Sequence, residues 1–154
     1  MEKHYRMLYP MRACLIASRH EGKDNVMSAT WVFPLSMDPP LFGVSISPKR
    51  HSFGMLRGGK AFSINIPSGE MEEAVRICGT KSGRESDKFA EAKLTKEEGM
   101  SVPLIKECLA SIECELVDEI TMGDHSVFVG KAVKVVRRSG GRGIYQSTEG
   151  FVQI

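Results

Sequence analysis

Residues 126–136 read Ser-Val-Phe-Val-Gly-Lys-Ala-Val-Lys-Val-Val, a run that is apolar on both faces except at Lys131 and Lys134. β-Branched and aromatic residues dominate the run, as they do in strands. A strand with apolar residues at both odd and even positions is buried on two sides. We therefore predict that this strand is part of the wall of a small β-barrel, whose interior covers one face. A second copy of the chain is the natural cover for the other face.

Shorter strand patterns lie on both sides of this run. Polar and apolar residues alternate with the period of two that a strand requires in three segments: residues 41–47, 61–66 and 111–116. In the last of these, Ser111, Glu113 and Glu115 are expected to face solvent. Residues 13–18 and 26–33 flank a polar turn and predict a hairpin. Residues 144–154 are expected to close the sheet.

One segment has helical periodicity instead. Its apolar residues follow the i, i+3, i+4, i+7 spacing of a single helix face: Met71, Ala74, Val75 and Cys78. Ser68 is the expected N-cap and Gly79 the expected C-terminal stop. Shorter helices are expected after an N-cap at Ser52 and at residues 88–92. Strands outnumber helices and do not alternate with them, so we predict a mainly β fold, a small barrel with a few short helices, forming a single domain over residues 1–154.

Composition narrows the class of protein. The chain has 154 residues, 42% hydrophobic and 26% charged, which is ordinary for a globular domain, and its net charge of +2 does not indicate a basic field for nucleic acid. The N-terminus is polar and the next apolar stretch is broken by Arg12, so we expect no targeting segment, no membrane span and a cytoplasmic protein. None of the four cysteines forms a C-x-x-C pair, so we expect free thiols.

Two segments are candidates for holding a phosphate. Residues 54–61 nearly match a P-loop, but Ala61 stands where a Ser or Thr must ligate Mg²⁺, and it begins a strand pattern, so we reject this motif. Residues 47–52, Ser-Pro-Lys-Arg-His-Ser, place two cations and two hydroxyls before a helix start. Free N–H groups there, together with Arg50, suit a phosphomonoester. A solvated basic loop is the alternative that stays open.

Three further clusters carry polar groups beside aromatic or charged ones. Residues 25–31 mix amides and hydroxyls next to Trp31, the single tryptophan, and suit a planar polar ring; an ordinary strand with Trp31 in the core is the alternative. Residues 81–89 form a charged loop, either part of a site or a solvated loop with Ser86 or Asp87 capping the next helix. His125 beside Asp124 either exchanges a proton near neutral pH or has no role. No other histidine has companions at ligand spacing, so we predict no metal site.

Taken in order, these clusters resemble the flavin reductase-like family, with its FMN-binding split-barrel fold, and in particular its flavoredoxin branch. The resemblance covers about residues 9–136. Its markers are Asn25-x-Met27-Ser28-Ala29-x-Trp31, Ser36-Met37-Asp38-Pro39-Pro40-Leu41, Arg50-His51-Ser52, Cys78-Gly79-x-x-Ser82-Gly83-Arg84-x-x-Asp87-Lys88-Phe89, and Gly123-Asp124-His125 followed by Phe128-Val129-Gly130. No single motif is decisive, but five in order at consistent spacing form a specific signal.

The resemblance implies a Greek-key split β-barrel that forms a homodimer and binds FMN without a covalent bond. It also implies a set of cofactor-binding residues: Asn25, Met27, Ser28, Ala29, Thr30, Ser45, Ser47, Arg50, Ser52, Ser82, Lys88 and Phe89. The isoalloxazine ring and the ribityl chain would be lined by Asn25, Met27, Ser28, Ala29 and Thr30. The ribityl chain and the phosphate would be approached by Ser45 and Ser47. The phosphate would be held by Arg50 and Ser52, and the site would be closed by Ser82, Lys88 and Phe89. His125 would sit near the flavin as the catalytic residue, where a nicotinamide stacks.

The function implied by the resemblance is that of an NAD(P)H-dependent flavin reductase, which moves a hydride from a nicotinamide nucleotide to the flavin. Free flavin or a partner protein would accept the electrons. The alternative is a flavoredoxin-like carrier whose bound FMN has no nicotinamide reaction of its own. A third possibility, a nucleic-acid-binding barrel that uses the basic pairs at 49–50 and 137–138, lacks the aromatic platforms that stack bases. We expect neither nucleic acid nor a membrane among its partners.

Overall fold

Strands account for most of the regular structure in a computed structural model that describes all of residues 1–154. The twelve strands are β1 (Met11–Arg12), β2 (Cys14–His20), β3 (Lys23–Ala29), β4 (Val32–Ser36), β5 (Leu41–Ile46), β6 (Ala61–Ile66), β7 (Lys96–Glu98), β8 (Pro103–Ile105), β9 (Ala110–Met122), β10 (His125–Arg137), β11 (Ile144–Ser147) and β12 (Gly150–Gln153). The helices are α1 (His51–Gly59), α2 (Glu72–Thr80) and α3 (Lys88–Glu91), and short 3₁₀ segments lie at His4–Leu8 and Gly69–Met71. None of the helices has the length and apolar run needed to cross a membrane.

Seven strands form one antiparallel sheet in the order β3-β2-β6-β9-β10-β5-β4. The two edge strands, β3 and β4, are consecutive in the chain and are separated only by Thr30 and Trp31. The sheet therefore curls until its edges meet at this link, which makes a split barrel. The connection from β5 to β6 runs through α1 and bypasses β9 and β10, as in a Greek key. The predicted mainly β, Greek-key split barrel with a few short helices is confirmed.

Alternate residues of β2 face two separate cores. Cys14 and Ile16 belong to the cluster inside the barrel, with side chains from β5, β6, β10 and α1. Leu15 and Ala17 belong to a second cluster outside the barrel, which is covered by α2 and α3. Successive side chains of a strand point to opposite faces, so a strand between two apolar layers must be apolar throughout. Within one chain, β2 is thus buried on both faces over residues 14–18, and β6 is likewise over residues 61–65.

The predicted two-sided burial of residues 126–136 holds only for the first half of β10. Ser126 and the residues from Phe128 to Gly130 are buried, but Val133 and Val135 are 39% and 51% exposed. As far as Lys131, β10 pairs on both sides, with β9 and β5; beyond it, β10 pairs with β9 alone. The second half therefore has neither a second strand partner nor full cover over its valines.

Two strand predictions are wrong. Residues 26–33 are not one strand, because the chain passes from one edge of the sheet to the other at Thr30 and Trp31; there the Trp31 carbonyl accepts a hydrogen bond from the Ser45 N–H at 3.0 Å. Residues 144–154 do not close the main sheet. They form β11 and β12, which pair with β1 in a separate three-stranded sheet. The alternation of polar and apolar residues indicates that a segment is a strand, but it does not indicate which strand the segment pairs with.

The helix boundaries also differ from the predicted ones. The N-cap of α1 is Arg50 and not the predicted Ser52, because the helix already begins at His51. The Ser52 side chain is buried inside the helix start and accepts a hydrogen bond from Asn25 Nδ2 at 2.7 Å. The predicted helix at 68–79 begins as a 3₁₀ segment and continues through Gly79 to Thr80. Gly79 does not stop the helix; a Cβ there would lie 3.3 Å from Ser28 Cβ, so the glycine allows α2 to approach β3 closely. The short helix near residue 88 is confirmed as α3, with Asp87 as its N-cap.

The predicted exposed side of β9 is wrong at Ser111 and Glu113, which are both buried. The Ser111 hydroxyl donates a hydrogen bond to Asn65 Oδ1 at 2.6 Å. The Glu113 carboxylate lies beneath the turn between β7 and β8, where it accepts hydrogen bonds from the backbone N–H groups of residues 100 and 101, both at 2.7 Å, and of residue 102 at 3.2 Å. A buried carboxylate held by backbone donors is a structural anchor for this turn.

Candidate functional site

A pocket of about 260 Å³ opens between the start of α1, the end of α2 and the loop that follows it. Neither a hydrophobic nor an acidic side chain lines this pocket. It is walled instead by small polar residues and by a set of cations: Lys49, Arg50, Lys81, Arg84 and Lys88. We call this the cationic pocket. Its chemistry suits an anionic ligand.

Lys88 is the buried cation of the cationic pocket. Its side chain is only 4% exposed, and its Nζ donates a hydrogen bond to the Cys78 carbonyl at 3.3 Å but meets no carboxylate. Burial lowers the pKa of Lys88 to about 8, and the nearby Arg50 lowers it as well, against an opposite effect of Cys78. A buried ammonium without a counter-ion is costly. An anion bound in the pocket would supply the missing partner.

Two hydroxyl groups of the cationic pocket accept hydrogen bonds from the protein and keep their own O–H hydrogens free. Ser52 Oγ accepts from Asn25 Nδ2 at 2.7 Å, and Ser82 Oγ accepts from the Arg84 N–H at 3.2 Å. Each O–H hydrogen can therefore be donated to an anion. Behind them, Asn25 Oδ1 is buried without a partner, and Gly83 lies against it so closely that a Cβ would collide with it. The loop thus closes tightly onto β3 at the back of the pocket.

A groove of about 180 Å³ adjoins the cationic pocket, and Arg50 lines both. The end of β3 and the end of β5 form its walls, through Met27, Ser28, Ala29, Thr30, Ser45 and Ser47. We call this the strand groove. Because β3 is an edge strand, half of its backbone N–H and C=O groups have no strand partner. The Ser28 hydroxyl donates to the Val75 carbonyl at 2.5 Å and so ties β3 to α2.

His125 and Trp31 form the far end of the strand groove. Their rings stack, with 4.7 Å between centroids and 29° between planes. His125 Nδ1 lies 2.8 Å from Asp124 Oδ1, and this hydrogen bond lowers the pKa of Asp124. A carboxylate only accepts, so Nδ1 carries the proton and Nε2 is the ring nitrogen left for a ligand. Trp31 is not part of the barrel core; its half-buried indole lines the strand groove.

The structure divides the predicted site residues into three groups. The cationic pocket contains Arg50, Ser52, Ser82 and Lys88. The strand groove contains Met27, Ser28, Ala29, Thr30, Ser45, Ser47 and His125. Asn25 and Phe89 line neither. Asn25 supports Ser52 from behind, and Phe89 lies in the outer core, with Lys96 Nζ 4.9 Å from its ring centroid.

Sequence reasoning missed the contribution of the α2 C-terminus. Thr80 and Arg84 line the cationic pocket, as does Gly79. Because the helix was predicted to end at Gly79, Thr80 was assigned to a loop, and its position beside the phosphate segment could not be predicted. Residues 81–88 contain three cations but also Glu85 and Asp87, so composition alone did not single out their role in the pocket.

Comparison with known proteins identifies the class of protein. The family model for the flavin reductase like domain matches residues 5–152. The chain therefore belongs to the flavin reductase-like family, and the predicted resemblance is confirmed.

Individual relatives give a finer picture. An uncharacterized protein of Pyrococcus abyssi is 46% identical over 129 residues, which cover 84% of this chain and 75% of the relative. A solved structure of an FMN-binding protein from Thermus thermophilus with bound 1-cyclohex-2-enone is 32% identical, with a TM-score of 0.87, and covers 97% of this chain and 89% of that one. A high molecular weight rubredoxin of Moorella thermoacetica is 32% identical over 117 residues, 75% of this chain and 51% of the relative, so this chain spans about half its length.

Proposed function

We propose that the protein is a flavin reductase that holds FMN without a covalent bond and accepts a hydride from NADH or NADPH. The observation that carries the proposal is a continuous site: a cationic pocket with a buried, unpaired Lys88 opens through Arg50 into a groove that ends at His125. This arrangement matches the shape and charge of a ligand with a phosphate at one end and a planar ring at the other. The FMN-binding relative from Thermus thermophilus supports the choice of flavin.

The cationic pocket would hold the phosphate of FMN. Arg50 and Lys88 supply charge, and the free O–H hydrogens of Ser52 and Ser82 supply neutral donors. Hydrogen bonds to charged groups contribute about 1.5–3 kcal/mol each, so two or three of them anchor a phosphomonoester.

The strand groove would hold the ring system and the ribityl chain. The unpaired backbone groups at the end of β3 and the hydroxyls of Ser45 and Ser47 give the groove polar edges without charge. When bound, flavin supplies the redox chemistry by accepting a hydride, while the chain binds and orients it and stabilises the charge that reduction brings. No side-chain nucleophile is required.

His125 would act at the open end of the groove. Asp124 fixes the proton on Nδ1, and Trp31 holds the plane of the imidazole. Nε2 is then available to accept a hydrogen bond or to hold a proton near the reacting ring. In this proposal Asp124 and Trp31 are positioning residues and His125 is the catalytic one.

The visible absorption spectrum of the purified protein tests the proposal. We expect the twin bands of bound flavin, or their appearance on adding FMN, and bleaching by anaerobic NADH or NADPH. FMN at about a hundredfold over its Kd should add about 2.7 kcal/mol to the free energy of unfolding. A protein that takes up no FMN and gains no stability from it would contradict the proposal.

A second candidate is a bound-FMN electron carrier with no nicotinamide reaction of its own. The Moorella relative, whose name is that of a rubredoxin, favours it. The same spectrum separates the two: bands that bleach with dithionite but with neither nicotinamide nucleotide indicate the carrier. In either case a partner protein or free flavin would take the electrons.

The proposal includes a homodimer in a reducing cytoplasm. Apolar side chains are exposed on the outer surface of the barrel strands, among them Leu35, Val117, Ile120, Val133 and Val135. A second copy of the chain is the cover we propose for them. All four cysteines are free and buried, which suits a reducing compartment.

A further inference from the structure

A second pocket, of about 420 Å³, lies next to the strand groove. Eight of the ten residues that line it are hydrophobic, and none of the ten carries a charged side chain. Its two polar residues, Thr30 and Ser45, each bring a hydroxyl group. We call this the apolar pocket. Small-molecule sites in proteins are concave and mostly apolar, with a few polar groups that orient the ligand, and the lining of the apolar pocket has this composition.

The floor of the apolar pocket is the outer face of the barrel wall. Val127 of β10 pairs with Ser45 of β5, and directly opposite residues lie on the same face of a sheet. The next residue, Phe128, belongs to the core inside the barrel, so Val127 faces outward. His125 lies two residues before Val127 in the same strand and shares its face. The floor therefore leads to the histidine at the end of the strand groove.

An aromatic side chain separates the apolar pocket from the strand groove. Trp31 lines both cavities and stacks on His125. Tyr5, from the N-terminal 3₁₀ segment, meets Trp31 edge to face, with 5.1 Å between centroids and 72° between planes. Thr30 and Ser45 also line both cavities. A ligand in the apolar pocket would therefore lie beside the part of the groove that is proposed to hold the flavin ring.

We propose that the apolar pocket binds a small uncharged aromatic compound with one polar substituent. The rings of Tyr5, Trp31 and Phe33 offer a planar ligand the face and edge contacts that aromatic rings prefer. The hydroxyls of Thr30 and Ser45 can donate a hydrogen bond to the substituent or accept one from it. An ionised group is disfavoured, because its burial without a charged partner is costly.

The inference goes beyond the proposed function. A flavin nucleotide and a nicotinamide nucleotide both carry phosphate groups, and the apolar pocket has no cation to hold them. The aromatic compound would be a further ligand at the ring end of the strand groove. Its binding does not require FMN, so the apolar pocket and the flavin site can be tested independently.

An NMR titration of the purified protein with acetophenone tests the inference. Trp31 is the single tryptophan, so its indole N–H gives one signal that reports on the apolar pocket. We expect acetophenone to shift this signal to saturation. Benzoate, which has nearly the same shape but a negative charge, should bind at least about tenfold more weakly. Phosphate buffer supplies a competing anion for the cationic pocket. No shift with acetophenone, or equal affinity for benzoate, would overturn the inference.

Val127→Glu should weaken acetophenone binding by about tenfold or more, because it places a carboxylate in the floor of the apolar pocket. Ile120→Glu is the matched control: Ile120 is the cross-strand partner of Val127 but lies outside the pocket lining, so binding should persist. Leu8→Glu should also weaken binding, and it changes a 3₁₀ segment that has no buried residue, so folding is not at risk. Wild-type binding by Leu8→Glu and Val127→Glu, or an equal loss in Ile120→Glu, would disprove this pocket as the site.

A second copy of the chain is the alternative occupant of the apolar pocket. If a second copy fills it, the Trp31 signal should shift on dilution of the free protein and acetophenone should have no effect, which would overturn the inference. A shift with acetophenone in a protein that takes up no FMN would support the inference and contradict the proposed function. FMN uptake without a shift by acetophenone would do the reverse.

Discussion

At the scale of single residues, the site depends on cations that the chain leaves without carboxylate partners. Arginines outside the site include paired ones: Arg19 bonds both Asp24 and Glu98, and Arg57 bonds Glu119. In the cationic pocket, Lys81 is paired with Glu91, whereas Arg50 and Lys88 form no ion pair. Each cation there is testable by its effect on ligand binding.

Arg50→Ala should weaken FMN binding by about 1.5 kcal/mol, or about tenfold in Kd, because it removes one charge-assisted contact to the phosphate. Fluorescence titration with FMN measures the change. The matched control is Arg57→Ala, which removes an arginine of α1 that faces Glu119 instead of the pocket. Equal FMN affinity in Arg50→Ala and the wild type would show that Arg50 does not bind the phosphate.

FMN affinity should fall as the pH rises above about 8. In the free protein the pKa of Lys88 is lowered from 10.5 to about 8, so the ammonium is lost as the pH rises through that value. A bound phosphate favours the charged form and raises the pKa again, so binding takes up a proton above pH 8. Affinity should then drop by up to about tenfold per pH unit.

The pH dependence is measured as the FMN Kd at about pH 7 and about pH 9.5, on either side of the lowered pKa. Lys88→Met should bind FMN more weakly at the lower pH and lose most of the dependence. A wild-type affinity that is flat across this range would mean that Lys88 does not face the phosphate.

His125→Ala should slow the bleaching of the flavin by a nicotinamide nucleotide more than it weakens FMN binding. The histidine lies at the end of the strand groove, away from the cationic pocket that anchors the phosphate. Stopped-flow bleaching and FMN titration measure the two effects separately. His20→Ala, which changes a histidine outside both pockets, is the control, and wild-type bleaching by His125→Ala would remove His125 from the proposed mechanism.

At the scale of elements, close packing between strands and helices positions both halves of the site. Gly79 brings α2 against β3, and Gly83 brings the next loop against Asn25. In β10, Gly130 follows a register shift in the pairing with β9 and faces the barrel interior. A Cβ at Gly130 would lie 2.5 Å from Phe62 Cζ and 2.6 Å from Cys114 Cβ, so no larger residue fits there without movement.

Gly130→Ala should lower the free energy of unfolding by about 1–3 kcal/mol through overpacking, since Phe62 and Cys114 are both fully buried. Urea denaturation measures the loss. Gly140→Ala is the matched control, because a Cβ there has no atom within 4 Å. If both variants unfold at the wild-type urea concentration, the interior of the barrel is looser than the structure indicates.

At the scale of the whole molecule, the exposed half of β10 is the surface that a single chain leaves uncovered. Val133 and Val135 are apolar and exposed, and they lie on the half of β10 that pairs with β9 alone. A stable interface buries at least about 1,000 Å² in total. The proposed partner is a second copy of the chain.

Sedimentation velocity should show a dimer for the wild-type protein. Replacing Val133 and Val135 together by Glu should shift it to a monomer, because two buried charges without partners oppose association. Val152→Glu introduces a charge at a valine that is 41% exposed, but on β12 in the small sheet, and should leave the dimer intact. A monomeric wild type would contradict the proposed homodimer.

Most of the strands and helices, and most residues of the two pockets, could be predicted from the sequence. Periodicity predicts β6 and the apolar face of α2, because burial on one side leaves a regular pattern along the chain. The segment at 47–52 also stands out by composition, because it has two cations and no acidic residue, and the segment at 81–89 stands out as a charged loop. These signals are local: they depend on neighbours within a few residues, which a single sequence displays directly.

Which segments meet could not be predicted from the sequence and is known from the three-dimensional structure. It places Lys88 against the start of α1, buries Glu113 beneath the turn between β7 and β8, and separates β11 and β12 from the main sheet. It also places Phe89 in the outer core and outside both pockets, because the next residue along a helix points in a different direction from Lys88. Contacts between distant segments depend on pairing and on side-chain direction in three dimensions, and neither leaves a local pattern in the chain.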